Sequence, residues 1–475
     1  MSQEAIVKGS FYFISAQIVF VISGYAIHFG LARLLGPNLY GIYGVVLAII
    51  SIVNIILTEG TSQAISKYIS AGEDAEIVKR TVFRLQFIFV LIIFCLYQLL
   101  VSVFTKLLRD PNLTSYLRVA GFITIPYGLL AVFVGYFNGL RNFKEQTVIH
   151  IIYSLSKLFF VFALVFCGFS LMGVFIGFAL APLMGFWKGL AVSGIGKKDS
   201  FDWKKMISFA WPLVVFAAVF YFLTSIDLFA VKAILKSDLE TGFYNAASTL
   251  AKIPFLIFGT VNSFLFPIIS NFLSKNNLEM VRYYIKETLR QITLLIMPGV
   301  FLIASSSKNL VSFVFSNQYL SASQPLIILI FGFAFLTIFS LLSSVIAGSG
   351  KPKIPMIIII ISTIVSLMLN IFLVPLYGLN GAAIATTAAC LLGLIISGFL
   401  VFKKFNALMD LKSFLKILVG SLIISFLGKI WASEGFLLIA EYIVLFLIYF
   451  AALFLFKEIK KTDIEIIKNI ILKKV

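Results

Sequence analysis

Lys157, Lys252 and Asp227 stand inside long stretches built almost entirely from Ile, Leu, Val, Phe, Ala and Gly. A lysine at the centre of a membrane helix costs roughly 2.5–3.5 kcal/mol on the insertion scale. Such residues are rare and face a bundle interior or a water-filled path. Residues three, four or seven apart share a helix face, and by that spacing each charge belongs to a polar stripe. His150, Ser154 and Lys157 form one stripe; Asn245, Thr249, Lys252, Gly259 and Asn262 another; Tyr221, Thr224 and Asp227 a third. Further faces collect Ser10, Gln17, Gly24 and His28; Ser51, Asn54, Thr58 and Thr61; and Ser362, Ser366 and Asn370. A cavity holding Lys157 and Lys252, with Arg33 at one mouth, prefers an anion, and pairing one lysine with Asp227 leaves it net positive. Phosphate is the obvious large biological anion, and lysine binds it as a point charge. A cationic ligand is repelled by the same field.

Each stripe has a structural alternative. Ser, Thr and Asn hydrogen-bond neighbouring membrane helices as packing glue. His28 near a span end reads more readily as a structural histidine, and Glu59 and Arg33 read equally as residues that snorkel to the interface. Asp227 reads either as a proton or sodium site or as the partner of Lys252 or Lys157 in a structural ion pair.

The elements that carry these residues are membrane helices. The chain of 475 residues is 61% hydrophobic and 12% charged, against about 25% charged in soluble domains, which excludes a soluble fold. A bilayer core takes about 20 apolar residues per helix, and fourteen stretches qualify: 10–33, 40–66, 78–106, 115–138, 145–168, 171–192, 204–235, 240–272, 282–304, 309–347, 354–375, 378–402, 412–431 and 436–457. The first is too long for the core of a cleavable signal peptide. Cys95, Cys167 and Cys390 all lie in apolar runs, so neither disulfides nor a metal site is expected. The net charge of +18 does not call for nucleic acid, because Lys and Arg crowd alternate loops. Lys67, Lys79 and Arg80, Lys204 and Lys205, Lys403 and Lys404 share one side, which the positive-inside rule makes cytoplasmic. Both termini are expected there. The tail from Lys457 reads as a short interfacial helix.

The chain also repeats itself. Gly41-Ile42-Tyr43 resembles Gly242-Phe243-Tyr244; the turn at Gly139 resembles the turn at Gly348; Leu171-Met172-Gly173 resembles Leu379-Asn380-Gly381. The offsets are 201, 209 and 208 residues. Two copies of six spans in the same topology are parallel repeats, with spans thirteen and fourteen appended. The expected organisation is an N-terminal six-helix lobe over 1–200, a second over 201–405, and the last two helices with a cytoplasmic tail over 406–475.

Enzyme chemistry finds no purchase. No G-x-x-x-x-G-K-[ST] phosphate loop occurs, His28 and His150 are the only histidines, and the loops are too short for a catalytic domain. No cofactor is expected.

The fourteen spans, the run Leu35-Gly36-Pro37-Asn38-Leu39-Tyr40-Gly41-Ile42-Tyr43, the turn at Gly139–Asn142, Asp227 and the run Gly242-Phe243-Tyr244-Asn245-Ala246-Ala247 resemble Wzx-type polysaccharide flippases. These belong to the multidrug/oligosaccharidyl-lipid/polysaccharide exporter superfamily. The resemblance covers nearly the whole chain. It implies an all-α polytopic fold of two six-helix lobes in a V around a cationic cavity, plus two C-terminal helices, in the cell membrane. It implies transport of a polyprenyl-phosphate- or pyrophosphate-linked oligosaccharide from the cytoplasmic to the outer leaflet for cell-surface glycan synthesis. Lys252 falls on span eight, where related lipid II flippases carry a cavity cation; Lys157 has no such counterpart. On this reading Lys157 and Lys252 hold phosphate, Asn54, Asn245 and Asn262 contact sugar hydroxyls, and Arg33, Gln17 and His28 complete the substrate-binding set. Asp227 couples an ion, and glycan polymerase or assembly proteins are possible partners. Three alternatives stay open: a lipid II flippase, a cation-coupled multidrug antiporter of the same superfamily, and a non-transporting membrane scaffold for glycan assembly.

Overall fold

The structure is a computed structural model that describes residues 3–197, 199, 201–259 and 261–460; of residues 3–11, 13, 14 and 261–264 it describes the backbone alone. Among the described residues every regular element is helical. Lipid offers no water to the backbone, so each apolar run closes its hydrogen bonds internally. In chain order the helices are α1 (Gln3–Ser70), α2 (Ala75–Leu107), α3 (Leu113–Gly121), α4 (Thr124–Gly139), α5 (Phe143–Leu164), α6 (Ser170–Ser193), α7 (Trp203–Leu223), α8 (Ile226–Leu235) and α9 (Asp238–Ala251). They continue with α10 (Ile253–Phe258), α11 (Val261–Ser274), α12 (Leu278–Ser305), α13 (Ser307–Val314), α14 (Ser323–Gly348), α15 (Lys353–Phe405), α16 (Leu411–Trp431) and α17 (Leu437–Leu455). Short polar side chains start several of them. The Asp74 carboxylate accepts from the Glu76 and Ile77 N–H groups at 2.9 and 3.2 Å, and Asn142, Asp202 and Asn277 cap α5, α7 and α12 in the same way.

Three very long helical runs cannot be single crossings. At 1.5 Å per residue α1 would reach about 100 Å, three times the hydrocarbon core. It is broken at Gly36 (φ 73°, ψ 172°), directly before Pro37. The first conformation suits glycine alone, and the proline denies the next turn its N–H. Gly168 (φ 91°) and Ser170 (φ 47°) break the run from α5 to α6, and Gly378 (φ 55°) breaks α15. Ten segments among the described residues are long and apolar enough to cross a membrane. The three broken ones are each long enough for two crossings, which makes thirteen against the fourteen expected from the sequence; α9, α10 and α11 are each shorter than a crossing.

The chain divides into two units: residues 1–225 with Lys236–Gly242, and Ile226–Leu235 with 243–475. In the first unit α1 packs against α4, α5 and α7, around a core that includes Ala64, Ile65, Val82, Val132, Phe133 and Ile149. Gln86 ties three helices together: its Nε2 donates to the Leu57 and Gly128 carbonyls at 2.8 and 3.0 Å, and its Oε1 accepts from Thr61 at 2.6 Å. Thr61 therefore serves as packing glue. The segment Lys236–Gly242 brings the two repeat glycines together. A Cβ on Gly41 would collide with the Asp238 carbonyl and the Gly242 nitrogen, and one on Gly242 with the Pro37 carbonyl. Backbone cannot rotate away as a side chain can. Gly242→Ala is expected to lower thermal stability by roughly 1–3 kcal/mol, read as a drop in Tm in detergent; an unchanged Tm contradicts this packing.

In the second unit α14 packs on α15, α15 on α8, and α12 on α16. Helices α16 and α17 bury Ile417, Ile424, Leu445 and Tyr449 against Leu294 and Leu302 of α12. An ionic cluster then fastens the chain beyond α17. Arg290, 4% exposed, binds the Glu287 carboxylate and the Glu458 carbonyl, and Lys460 reaches Glu287 at 2.7 Å. The interfacial tail expected after Lys457 lies outside the described residues beyond Lys460.

Candidate functional site

The first unit holds a half-open cavity of about 300 Å³ between both halves of α1, α4 and α5. Helical period builds each wall. Ala16, Gln17 and Phe20 come from the first half of α1; Thr58, Glu59, Ser62 and Gln63 from its second half; Tyr127, Leu130, Ala131 and Val134 from α4; Gln146, Thr147, His150 and Tyr153 from α5. Each set keeps the spacing of one helix face. Among the described residues the lining holds one acid and no lysine or arginine. Glu59 accepts from Gln63 Nε2 at 2.8 Å through Oε2.

Lys157 continues the α5 stripe one turn beyond Tyr153. Its Nζ lies 5.0 Å from the centroid of Phe20, 5.5 Å from Tyr153 and 5.7 Å from Phe178. Phe20 and Tyr153 are themselves cavity walls, so the ammonium lies beside the aromatic lining. Ring quadrupoles attract a cation at such distances without neutralising it, and no carboxylate pairs with Lys157 among the described residues. Of the other expected residues in this unit, Gln17 lines the cavity. Asn54 lies one turn from Thr58, whose hydroxyl donates to the Asn54 carbonyl at 2.9 Å; the Asn54 Oδ1 is buried without a protein partner. His28 sits elsewhere, in an aromatic cluster, with Nδ1 3.1 Å from the Tyr40 hydroxyl and its ring against Tyr43. Arg33 is exposed, three residues before the Gly36 break.

The second unit carries a fully buried Asp227. Its Oδ2 accepts from the Tyr244 hydroxyl at 2.7 Å and the Thr386 hydroxyl at 2.9 Å, and Oδ1 from the Leu228 N–H at 2.8 Å. Lys252 interacts with it electrostatically. The Lys252 side chain also lies 5.7 Å from the Phe333 ring centroid. Position explains its exposure to both: Lys252 is the joint between α9 and α10, where Pro254 starts a new helix. Asn245 is buried on the same α9 stripe, and its carbonyl accepts from Thr249 at 2.7 Å. The Asn262 side chain lies outside the described residues.

A further buried oxygen lies on the half of α15 opposite Thr386. The two halves of α15 run antiparallel past the Gly378 break. A Cβ on Gly381 would strike Leu373, and one on Gly393 would sit 3.1 Å from Ser362 Oγ. Facing positions are thus symmetric about residues 377–378, and the position facing Thr386 falls at about residue 369, beside Asn370. Asn370 donates to the Ser366 carbonyl at 2.8 Å, while its buried Oδ1 has no protein partner. Carboxylate, hydroxyl and amide oxygens are donors suited to a hard cation.

Sequence reasoning singled out Lys157, Gln17 and Asp227 but passed over Gln63, Gln146, Tyr127, Tyr153 and Thr386. Their signal was present for α5: Gln146, His150, Tyr153 and Lys157 form one stripe. For Thr386 no local signal exists, since it lies 159 residues from Asp227.

Comparison with known proteins agrees with this architecture. An uncharacterised membrane protein of Methanocaldococcus jannaschii is 23% identical over 83% of this chain and 98% of its own length. The probable low-salt glycan biosynthesis flippase of Haloferax volcanii is 26% identical over 75% of each chain. A solved structure of the lipid II flippase MurJ, in an inward closed conformation, matches with a TM-score of 0.77 at 17% identity, over 95% of this chain and 98% of that one; at that identity the likeness speaks for the fold. The family described as polysaccharide biosynthesis protein matches residues 30–324. The chain belongs to this polysaccharide biosynthesis protein family, and with it to the Wzx-type membrane flippases of the multidrug/oligosaccharidyl-lipid/polysaccharide exporter superfamily.

Proposed function

We propose that this flippase carries a polyprenyl-phosphate- or pyrophosphate-linked oligosaccharide from the cytoplasmic to the outer leaflet, by alternating access, for cell-surface glycan synthesis. The observation that carries the reading is Lys157. Its ammonium is held inside the membrane against three aromatic rings, with no carboxylate beside it among the described residues. Such a charge is expensive to keep in lipid, and an anionic substrate supplies its missing partner. Lys252 gives the second unit a lysine on the same footing, partly balanced by Asp227. The glycan link rests on family membership and on the printed role of the Haloferax relative, low-salt glycan biosynthesis.

Asp227 is the coupling site in this reading. A sodium ion would take the carboxylate oxygens, the Thr386 hydroxyl and Asn370 Oδ1; a proton would need the carboxylate alone. Both termini face the cytoplasm, by the lysine and arginine asymmetry of the loops. The lobes act as the two rocking bodies, with assembly proteins receiving the glycan outside.

The test is leaflet transfer in proteoliposomes. Purified protein should move a polyprenyl-pyrophosphate carrying a short oligosaccharide well above protein-free vesicles. Movement of cationic dyes with none of the glycolipid carrier would instead establish a multidrug antiporter.

A further inference from the structure

The 300 Å³ cavity of the first unit lies beside Lys157 but is unlike a phosphate site. We infer that it is a saccharide subsite, taking one neutral pyranose ring of the transported glycan; this deepens the flippase reading and rests on it.

The chemistry of the lining is the argument. Three aromatic rings, Phe20, Tyr127 and Tyr153, stand in the walls, with Tyr127 and Tyr153 5.7 Å apart. A pyranose has an apolar C–H face whose hydrogens carry slight positive charge, and it packs on the negative face of a ring. Its rim is a belt of hydroxyls, each both donor and acceptor. Gln17, Gln63 and Gln146 offer amides with both functions, and Glu59 offers acceptors only. Gln63 already occupies Glu59 Oε2, which fixes the carboxylate and leaves Oε1 to receive a hydroxyl. A mixture of donors and acceptors suits hydroxyls better than phosphate, which needs donors, or a cation, which needs acceptors.

Charge narrows the choice. Glu59 repels a uronic acid at this short range in a low-dielectric site. A cationic ligand meets the opposite obstacle: Lys157 already places a positive charge beside Phe20 and Tyr153. The volume is at the lower end of small-molecule sites, enough for one sugar ring and too small for a whole oligosaccharide. Lys157, one turn along α5 from Tyr153, then places the sugar subsite next to a phosphate contact, the order in which a glycan follows its pyrophosphate.

The experiment is saturation-transfer NMR on the full chain in nanodiscs, with three probes: a methyl hexopyranoside, a methyl hexopyranosiduronate and a tetraalkylammonium ion. Wild type should bind the neutral glycoside in preference to the other two. Glu59→Gln, nearly isosteric, should bind it about tenfold more weakly and should reduce the preference over the uronate. Gln17→Leu, on a different wall, should weaken it as well at unchanged Tm. No binding of the glycoside by wild type, preference for the ammonium ion, or affinity unaltered in both variants overturns the subsite. Glycoside binding without any carrier transfer in proteoliposomes sinks the flippase reading and leaves the subsite standing. Transfer without glycoside binding does the reverse.

Discussion

Lys157→Met is expected to slow transfer of a polyprenyl-pyrophosphate oligosaccharide by about ten- to a hundredfold while leaving Tm unchanged or higher. The two halves of that expectation come from the same geometry. A charge-assisted hydrogen bond contributes about 1.5–3 kcal/mol, and each 1.4 kcal/mol is tenfold. The Lys157 ammonium lies beside the Phe20, Tyr153 and Phe178 rings, and no carboxylate pairs with it among the described residues. Methionine keeps the length and apolar stem, removes a charge that is costly to bury, and fits against Phe20, Tyr153 and Phe178 as a thioether. Lys252→Met should behave differently. It too loses substrate contact, but it strips a compensating charge from buried Asp227, so its Tm should fall with its activity. Proteoliposome transfer and thermal melting, run on both variants, separate the roles. If Lys157→Met keeps full transfer, or loses it only through a collapsed Tm, the lysine is structural and the anionic-cavity reading loses its main support.

Asp227→Ala is expected to destabilise the protein by about 3–5 kcal/mol, the range for removing one partner of a buried charged network. It leaves the Tyr244 and Thr386 hydroxyls and the Leu228 N–H without their acceptor, and Lys252 without its counter-charge. Asp227→Asn is the informative companion. It preserves volume and one carbonyl oxygen, so the stability loss should be smaller, about 1–3 kcal/mol, while the ionisable group is gone. Wild-type transfer should rise under an imposed inward sodium or proton gradient, and Asp227→Asn should show no such stimulation. Asn370→Leu discriminates between the ions. It removes the unpartnered Oδ1, so sodium stimulation should be lost and proton stimulation retained. Gradient dependence that survives Asp227→Asn intact would reduce the aspartate to a structural ion-pair partner.

The membrane architecture was legible in the sequence because lipid imposes it locally. Fourteen apolar runs must become helices, since backbone groups have no other partners there. The Gly36-Pro37 pair marks its own break, and the repeated Gly-x-Tyr runs announce two copies. Helical period also showed that His150 and Lys157 share a face. What a stripe faces is not a property of one helix. Thr61 looked like a cavity residue and instead binds Gln86, because the small residues of α4 let α1, α2 and α4 close around that amide. Glu59 read equally as a snorkelling side chain until α4 and α5 placed Tyr127 and Gln146 around the same space. The Asp227–Thr386 bond and the alignment of Asn370 with it depend on how α8 meets α15 and on where Gly378 folds α15 back. The sequence by itself determined which segments are helices, where they break and which residues share a face. The rotation and depth of each helix against its neighbours were decided only by tertiary packing, because burial is a sum over facing surfaces that no single segment contains.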